Sequence, residues 1–378
     1  AGETILRRGE IVESEDIEAL EQVGLMTSYE DWETRTGGIA IVLLMAVFLL
    51  LFFLTYPELT YKPKEFILLA SLFVVFLGVG RVTITGHVVI PYLFPVAGYS
   101  LIVSVLLDRK TALFTTLPLA ILMSYGLPNP LELTLYYAIG GSIGVLALRH
   151  PRRIAAYISV GGLIAASGAA IVASYRVLAP GTDMQGMVTL LGAAVFCGAI
   201  SVGLTILLEY TLAPLLGLTT TLQLMELSRP DHPLLQYLLR EAPGTYQHAL
   251  QTANLVEQAA ENIGADSLLA RVGALYHDVG KAKQASFYVE NQIPGQLDTH
   301  DDLDPAESAQ QIIQHALDGI ELAREHNVPK RIRDFILEHH GTSLTNYQYT
   351  QALNAVDGDE SQVDVSNFRY PGPRPQSV

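Results

Sequence analysis

Hydrophobic residues fill the middle of this sequence in long runs, whereas both ends mix apolar with charged positions. A membrane-spanning helix needs about 20 apolar residues to cross about 30 Å of hydrocarbon. Seven stretches approach or exceed that length, at residues 38–56, 65–85, 90–107, 111–127, 132–149, 153–178 and 187–213. The third and fourth are short, and a buried hairpin is the alternative for that pair. The pattern predicts a bundle of about seven transmembrane helices over residues 37–215.

Cationic residues concentrate in alternate loops of this region. The loops after the first, third and fifth stretches contain Lys62, Lys64, Arg109, Lys110, Arg149, Arg152 and Arg153. Loops rich in Lys and Arg face the cytoplasm. Seven spans with the N-terminus outside would put all three loops on that side. The sequence therefore predicts a multi-pass cell-membrane protein with a cytoplasmic C-terminal region.

Few ionisable residues stand out within the apolar stretches. Arg81, His87 and Glu209 all lie near the ends of spans. Transporters and channels carry ionisable residues inside their spans, so a transporter with a regulatory domain is the disfavoured alternative. A membrane anchor or a signal-transmitting bundle is the better interpretation.

The segment before the bundle, residues 1–36, is too short to be a domain. Its pattern predicts a strand at Glu3–Leu6 and a helix at Glu15–Gln22, with Ser14 as N-cap and Gly24 as the stop. We interpret it as the end of an extracellular domain, and a juxtamembrane tail is the alternative. Since the chain opens on Ala1, we expect it to be a piece of a longer protein.

Helical periodicity returns after the bundle. Residues 216–232 are predicted to form a connector that includes a helix at Leu222–Leu227, and residues 233–378 a cytoplasmic domain. Pro and Gly positions and candidate caps such as Asp266 mark its helices. These are expected at Leu234–Arg240, from Gly244 onward, at Ser267–His277, from Pro305 to His326 and from Pro329 to Gly341. No alternating strand pattern appears, so the predicted fold class is all-α throughout.

Composition agrees with this division. The chain is 50% hydrophobic and 16% charged, whereas soluble domains are about a quarter charged. Its formal charge of −15 argues against a nucleic-acid polymer as partner, because such a partner requires a basic face. The single cysteine, Cys197, excludes a disulfide within the chain and a zinc–thiolate site.

Histidines in the predicted cytoplasmic domain suggest a metal centre. His277 and Asp278 are adjacent in ALYHDVGKAK, and the other candidates are His248, His315, His339 and His340. Consecutive helical residues point about 100° apart, so each adjacent pair could address two ions, or one ion and a phosphate. Five histidines and one carboxylate suit iron, manganese, nickel or zinc. Paired ions about 3.5–4 Å apart clamp a phosphoryl group. A single helical histidine is more often a surface or core residue than a ligand, and His232, His300 and His326 are interpreted in that way.

The run HDVGK, with histidines upstream and downstream, resembles the HD-domain metal-dependent phosphohydrolases. The stretch from HPLLQYLLREAPGTYQHAL to LYHDVGK, together with FYVENQ, HDDLDP and EHHGTSL, is closer to one branch. That branch is the bacterial seven-transmembrane HD proteins, the PgpH-type cyclic di-AMP phosphodiesterases. The resemblance covers essentially the whole chain.

The resemblance implies two divalent transition-metal ions, with manganese or iron favoured. Their ligands would be His248, His277, Asp278, His315, His339 and His340. Asp278 would bridge the ions and take part in catalysis. Lys281 would act beside them on the substrate phosphate, a role that suits a compact ammonium. Tyr288, Asn291 and His300 are weaker candidates for substrate contact.

The implied reaction is hydrolysis of cyclic di-AMP to linear pApA. The implied partners are this cyclic dinucleotide, the lipid bilayer, an unidentified extracellular ligand that regulates the enzyme, and a second copy of the chain as a candidate homodimer. Cyclic di-GMP or a nucleoside triphosphate is the alternative substrate. A non-catalytic nucleotide-binding receptor is the alternative function.

One feature departs from the family pattern. The family carries a further ligand aspartate on a helix past its HH pair. In this sequence Asp357, Asp359 and Asp364 lie in an acidic segment with Gly and Ser, which is not a helix of the expected kind. We therefore expect the chain to stop short of the last ligand.

Overall fold

The computed structural model describes residues 13–22, 32–57, 59, 61–148, 154–177, 184–292, 300 and 303–376. Throughout these residues the fold is helical, and the only extended pairing is an isolated antiparallel bridge between Leu344 and Arg369. The predicted all-α class is confirmed. Helix α1, Ser14–Gln22, confirms the first predicted helix but begins at Ser14 itself. The predicted strand at Glu3–Leu6 and the stop at Gly24 lie outside the described residues.

The apolar region folds as helices that match the seven predicted stretches. They are α2 (Trp32–Thr55), α3 (Pro63–Ile84), α4 (Ile90–Leu93), α5 (Val96–Leu106), α6 (Arg109–Ser124), α7 (Pro130–Ala147), α8 (Ile154–Arg176) and α9 (Met184–Leu216). The third stretch is divided between α4 and α5, because the backbone of Phe94 and Pro95 is not helical. Each predicted stretch therefore coincides with helical structure.

Five of these helices are long and apolar enough to cross a membrane: Thr36–Thr55, Pro63–Ile84, Pro130–Ala147, Ala155–Arg176 and Met184–Leu216. Helices α5 and α6 have 11 and 16 residues. A straight transmembrane helix needs about 20 residues, so both are too short to cross the membrane alone. They lie inside the bundle, where α5 packs against α6, α7 and α9. The count of seven complete spans therefore stays a prediction.

The outside of the bundle is apolar. Leu54, Val82 and Ile158 are 68%, 82% and 68% exposed, and many other large apolar side chains of these helices are exposed as well. Water-soluble proteins rarely expose so large an apolar surface. Lipid is the solvent that such a surface requires, so the chain is a membrane protein.

One polar cluster inside the bundle escaped the sequence analysis. Glu132 on α7 is buried, and its carboxylate lies 3.2 Å from the Arg176 guanidinium on α8. The Tyr92 hydroxyl donates to the same carboxylate over 2.7 Å. Both charged residues fall at the ends of predicted spans, where an ionisable side chain is usually taken to face the headgroups. Tertiary packing instead brings them together in the interior.

The second domain consists of shorter helices. They are α10 (Thr221–Leu227), α11 (Pro233–Glu241), α12 (Pro243–Ile263), α13 (Ser267–Tyr276), α14 (Pro305–Glu325), α15 (Lys330–Glu338) and α16 (Asn346–Ala355), with 3₁₀ turns at Val279–Phe287, Val289–Asn291, Glu360–Gln362 and Val365–Phe368. The predicted helices are confirmed to within a few residues. The carboxylate of Asp266 accepts the Leu269 N–H over 3.0 Å, which confirms the predicted cap.

Helix α16 was not predicted. Its sequence, NYQYTQALNA, has no strong apolar face and no capping side chain at Thr345. The helix instead packs against α14, and the Tyr349 ring lies 5.5 Å from the Phe368 ring. Contacts with distant residues, rather than local pattern, stabilise it.

Helix α10 joins the two hydrophobic cores. Leu222 packs against the bundle core around Tyr157 and Val202, whereas Leu224 and Leu227 belong to the core of the second domain. Displacement of α10 would therefore disturb both cores at once.

Candidate metal centre

The side chain of Asp278 lies at the convergence of four helices. Asp278 lies two residues after the end of α13 and is 2% exposed. Histidines surround it from the first half of α12, the end of α13, the middle of α14 and the end of α15. They are His248, His277, His315, His339 and His340, the five that the sequence analysis selected.

The two oxygens of Asp278 face different histidines. Oδ1 lies 3.3 Å from Nε2 of His315 and 3.5 Å from Nε2 of His339. Together with His340, these residues form one group whose ligand atoms all lie within 4.8 Å of one another. We call it group A.

The other oxygen serves a second group. Oδ2 lies 3.1 Å from Nε2 of His277 and 3.9 Å from Nε2 of His248. Asp278, His277 and His248 again have ligand atoms within 4.8 Å of one another, and we call them group B. Because one carboxylate belongs to both groups, it is placed to bridge two cations.

Backbone carbonyls orient three of the imidazoles. Nδ1 of His277, His315 and His339 lies 2.7, 2.6 and 2.9 Å from the carbonyl oxygens of Ala274, Ile312 and Ile336. A carbonyl only accepts, so each Nδ1 must carry the hydrogen. In the neutral ring Nε2 is then a lone-pair donor that points at Asp278. Metal-binding histidines typically show this arrangement.

Several acceptor atoms in group A face one another at close range. Nε2 of His315 lies 3.4 Å from Nε2 of His339, and the buried Oδ1 of Asp278 has no hydrogen-bond partner among the described residues. Burial lowers the pKa of His315 to about 4. This imidazole is therefore neutral at physiological pH, and its Nε2 does not donate a hydrogen bond to Oδ1 of Asp278. Three facing lone pairs without a donor fit a divalent metal ion.

Local electrostatics keep Asp278 ionised. Burial alone would raise the pKa of its carboxyl, but the neighbouring His277, His339 and Lys281 outweigh burial and hold the pKa well below its usual range. Burial and the neighbouring His339 lower the pKa of His340 to about 3. Group A therefore offers one anionic oxygen and the neutral nitrogens of His315 and His340, donors that borderline metals prefer.

Lys281 is partly buried beside group B. Its Nζ lies 2.9 Å from Oδ2 of Asp278 and 2.9 Å from Oε1 of Glu290, and it sits 5.0 Å from the centre of the Tyr288 ring. Burial lowers the pKa of Lys281, but the two carboxylates raise it by more. A charged ammonium thus adjoins the centre, whereas a solvent-facing lysine was the alternative from sequence.

The other predicted substrate contacts bond within the protein. The Asn291 amide oxygen accepts the Thr245 N–H over 3.1 Å, and the Tyr288 hydroxyl donates to the Gln311 carbonyl over 3.3 Å. The His300 nitrogens lie 2.6 Å from the Phe287 carbonyl oxygen and 2.8 Å from the Ser308 hydroxyl. Contact of these three with substrate stays a prediction.

The structure adds two residues that the sequence analysis missed. Glu290 pairs with Lys281 and accepts the Thr245 hydroxyl over 3.0 Å. Tyr370 is buried and stacks on His340, with ring centres 4.1 Å apart and planes at 20°. Glu290 lies in the FYVENQ run already noted, and that run was the available signal. No local pattern marks Tyr370.

The acidic residues near the end of the chain lie elsewhere. Asp357, Asp359 and Asp364 are exposed, and the last two accept the N–H groups of Ser361 and Ser366. Within the described residues, none of the three belongs to group A or group B. His232 and His326 also lie outside both groups, as expected.

Two family profiles match different parts of the chain. The sequence profile of the family described as 7TM receptor with intracellular HD hydrolase matches residues 32–220, and that of the HD domain matches residues 245–370. The HD match implies binding of divalent metal.

Two relatives match along the whole chain. The cyclic-di-AMP phosphodiesterase PgpH of Listeria monocytogenes is 32% identical over 391 residues, covering 100% of this chain and 53% of that protein. PgpH of Bacillus subtilis is 31% identical over 392 residues, covering 100% of this chain and 54% of that protein. The chain thus spans about half the length of these relatives.

A solved structure also matches. The HD domain of L. monocytogenes PgpH in complex with cyclic-di-AMP is 44% identical, and the match covers 39% of this chain and 67% of that chain with a TM-score of 0.37.

Proposed function

We propose, from the premise that this chain belongs to the family of 7TM receptors with an intracellular HD hydrolase, that its second domain hydrolyses cyclic di-AMP to linear pApA. The observation that carries the proposal is the Asp278 carboxylate, whose two oxygens each face a separate group of imidazole nitrogens. The names of the two PgpH relatives support the choice of substrate.

Six residues would hold two divalent ions, with manganese or iron favoured. Asp278, His315, His339 and His340 would bind one ion, and Asp278, His277 and His248 the other. Such a pair of ions supplies an activated water and neutralises charge on a phosphoryl group. The backbone carbonyls that accept the three Nδ1–H groups would keep the Nε2 atoms oriented for metal binding before substrate arrives.

The chain's own cation completes the site. Lys281 stays charged between Asp278 and Glu290 and can donate to a phosphate oxygen that enters beside group B. Its ammonium would offset the negative charge that builds on the phosphoryl oxygens during reaction. Glu290 and Thr245 hold the ammonium in place through a continuous hydrogen-bonded chain.

We further propose that the bundle anchors this domain at the cytoplasmic face of the cell membrane, with the N-terminus outside. The basic loops support this orientation. Regulation by an extracellular ligand would reach the second domain through α10, because that helix contacts both cores.

The test is hydrolysis by the purified protein in detergent with Mn²⁺. Cyclic di-AMP, cyclic di-GMP and ATP are offered separately, and the products are resolved by chromatography. We expect pApA from the unmutated protein and none from the His277→Ala/Asp278→Ala variant. Equal turnover of cyclic di-GMP would refute the specificity. Tight binding of cyclic di-AMP without product would favour the non-catalytic receptor.

A further inference from the structure

A cleft opens beside the metal centre, and most of its lining has no role in the chemistry described above. Its volume is about 670 Å³, it is open to solvent, and His339 and His340 form part of its wall. Arg369 and Arg374, both exposed, also line it. We call it the arginine cleft.

Backbone pairing builds the part of the cleft that holds Arg369. The segment after His340 runs antiparallel to residues 368–370, with the Thr345 N–H donating to the Phe368 carbonyl over 2.8 Å and the Tyr370 N–H donating to the Ser343 carbonyl over 3.0 Å. Successive side chains of an extended segment point to opposite sides. Tyr370 stacks on His340, so its neighbour Arg369 faces away from that ring and into the cleft.

Both arginines are anchored at one point and leave donors unused. Arg369 donates from Nη1 to the Thr342 carbonyl over 2.6 Å, and Arg374 donates from Nε to the Thr342 hydroxyl over 3.3 Å. A guanidinium has five N–H donors. Both of these contacts are with Thr342, and neither arginine pairs with a carboxylate in the part of the chain that the structure describes. Two cations held together without an acidic partner suit an anion, and arginine suits phosphate in particular.

We infer that the arginine cleft binds the second, non-scissile phosphate of a cyclic dinucleotide. This rests on the proposed function, in which the scissile phosphate lies at groups A and B. Because His339 and His340 belong to both the metal centre and the cleft wall, one ligand with two phosphodiesters can occupy both places. A phosphodiester with a single phosphate has nothing to place against the arginines. The cleft therefore selects cyclic dinucleotides over simpler phosphodiesters.

The experiment compares two substrates on the Arg369→Ala/Arg374→Ala variant of the full chain, in nanodiscs of phosphatidylcholine. Cyclic di-AMP has two phosphates and bis(p-nitrophenyl) phosphate has one. In this variant we expect kcat/KM for cyclic di-AMP, divided by kcat/KM for bis(p-nitrophenyl) phosphate, to fall by roughly tenfold. The reason is the loss of charge-assisted hydrogen bonds to the second phosphate. Arg324→Ala, an exposed arginine on α14, is the matched control and should leave the ratio unchanged.

Binding gives a readout that does not depend on turnover. The Kd of labelled cyclic di-AMP, measured with EDTA present, should rise in the double variant and not in Arg324→Ala. An unchanged Kd and an unchanged ratio would overturn the inference. If the parent chain binds cyclic di-AMP through the arginines but hydrolyses nothing, the cleft stands and the proposed function fails. Loss of the arginine dependence when phosphatidylglycerol is added would assign the cleft to a lipid headgroup instead.

Discussion

Lys281 Nζ lies 2.9 Å from Oδ2 of Asp278, the same oxygen that His277 and His248 face. An ammonium this close to Oδ2 neutralises part of the negative charge that would attract a divalent ion to group B. If the proposed function is right, Lys281 would have two opposed effects, because its ammonium would compete with a metal ion for Asp278 and would also supply positive charge to a bound phosphate.

Replacement of Lys281 by methionine should separate these effects. In Lys281→Met, Mn²⁺ should bind group B more tightly because its competitor at Oδ2 is gone, and cyclic di-AMP turnover should fall by roughly a hundredfold through lost charge stabilisation. Titration calorimetry measures the first effect and product formation the second. Lys283→Met removes an exposed lysine paired with Asp318 and Glu321 and should do neither. Weaker Mn²⁺ binding in Lys281→Met would show that the lysine supports the site instead.

Asp278→Asn should abolish binding of both metal ions, because one carboxylate belongs to both groups. The bound metal, measured by elemental analysis after dialysis, should fall from two ions per chain to none. Asp334→Asn, which changes a carboxylate on α15 outside both groups, is the control. Retention of one tightly bound ion would mean that Asp278 serves a single group and does not bridge.

Gly244→Ala should damage the site from a distance. A Cβ at Gly244 would lie 1.8 Å from the Glu290 carbonyl oxygen, so the Val289–Asn291 turn must move and carry Glu290 away from Lys281. Such overpacking typically costs about 1–3 kcal/mol. We expect a lower thermal midpoint and reduced turnover together. Gly162→Ala, whose Cβ would meet nothing within 4 Å, should leave both intact, and equal behaviour of the two variants would contradict the expectation.

Cysteine labelling tests the orientation. The native Cys197 is buried and is first replaced by serine. In intact cells a membrane-impermeant maleimide should label His87→Cys, in a loop predicted to lie outside, but not Lys62→Cys, in a basic loop. Lys62→Cys should react only after permeabilisation. The reverse pattern would place the second domain outside the cell.

His232 should make the stability of the second domain depend on pH. Its Nδ1 accepts the Leu234 N–H over 3.3 Å at the start of α11, which only the neutral ring can do. Burial and the neighbouring His326 lower the pKa of His232 below its usual 6.5. The unfolded chain therefore takes up the proton first, so this contribution to stability is complete above that value and is lost as the pH falls below it.

The thermal midpoint of the native protein should consequently drop more than that of His232→Asn between about pH 7.5 and about pH 5.5. Asparagine keeps an acceptor at the cap position and does not titrate. Equal drops in the two proteins would rule out this histidine as a source of the pH dependence.

The sequence by itself determined the membrane region, most helices and the six candidate ligands. Apolar length, helical period and capping residues such as Asp266 are local properties, and each element forms largely in response to its own residues. The HD pair and the other histidines could be selected because an HDVGK run among spaced histidines is uncommon and resembles a known family.

Only the tertiary structure decided how those ligands divide. His248 and His340 are far apart along the chain, and only packing of α12 to α15 around Asp278 places them in separate groups. The same holds for the ion pair of Lys281 with Glu290, for that of Glu132 with Arg176, and for helix α16. The arginine cleft depends on pairing between residues 343–345 and 368–370. Such contacts join residues whose local patterns contain no information about each other, and the free energy that favours them comes from burial shared across the whole domain.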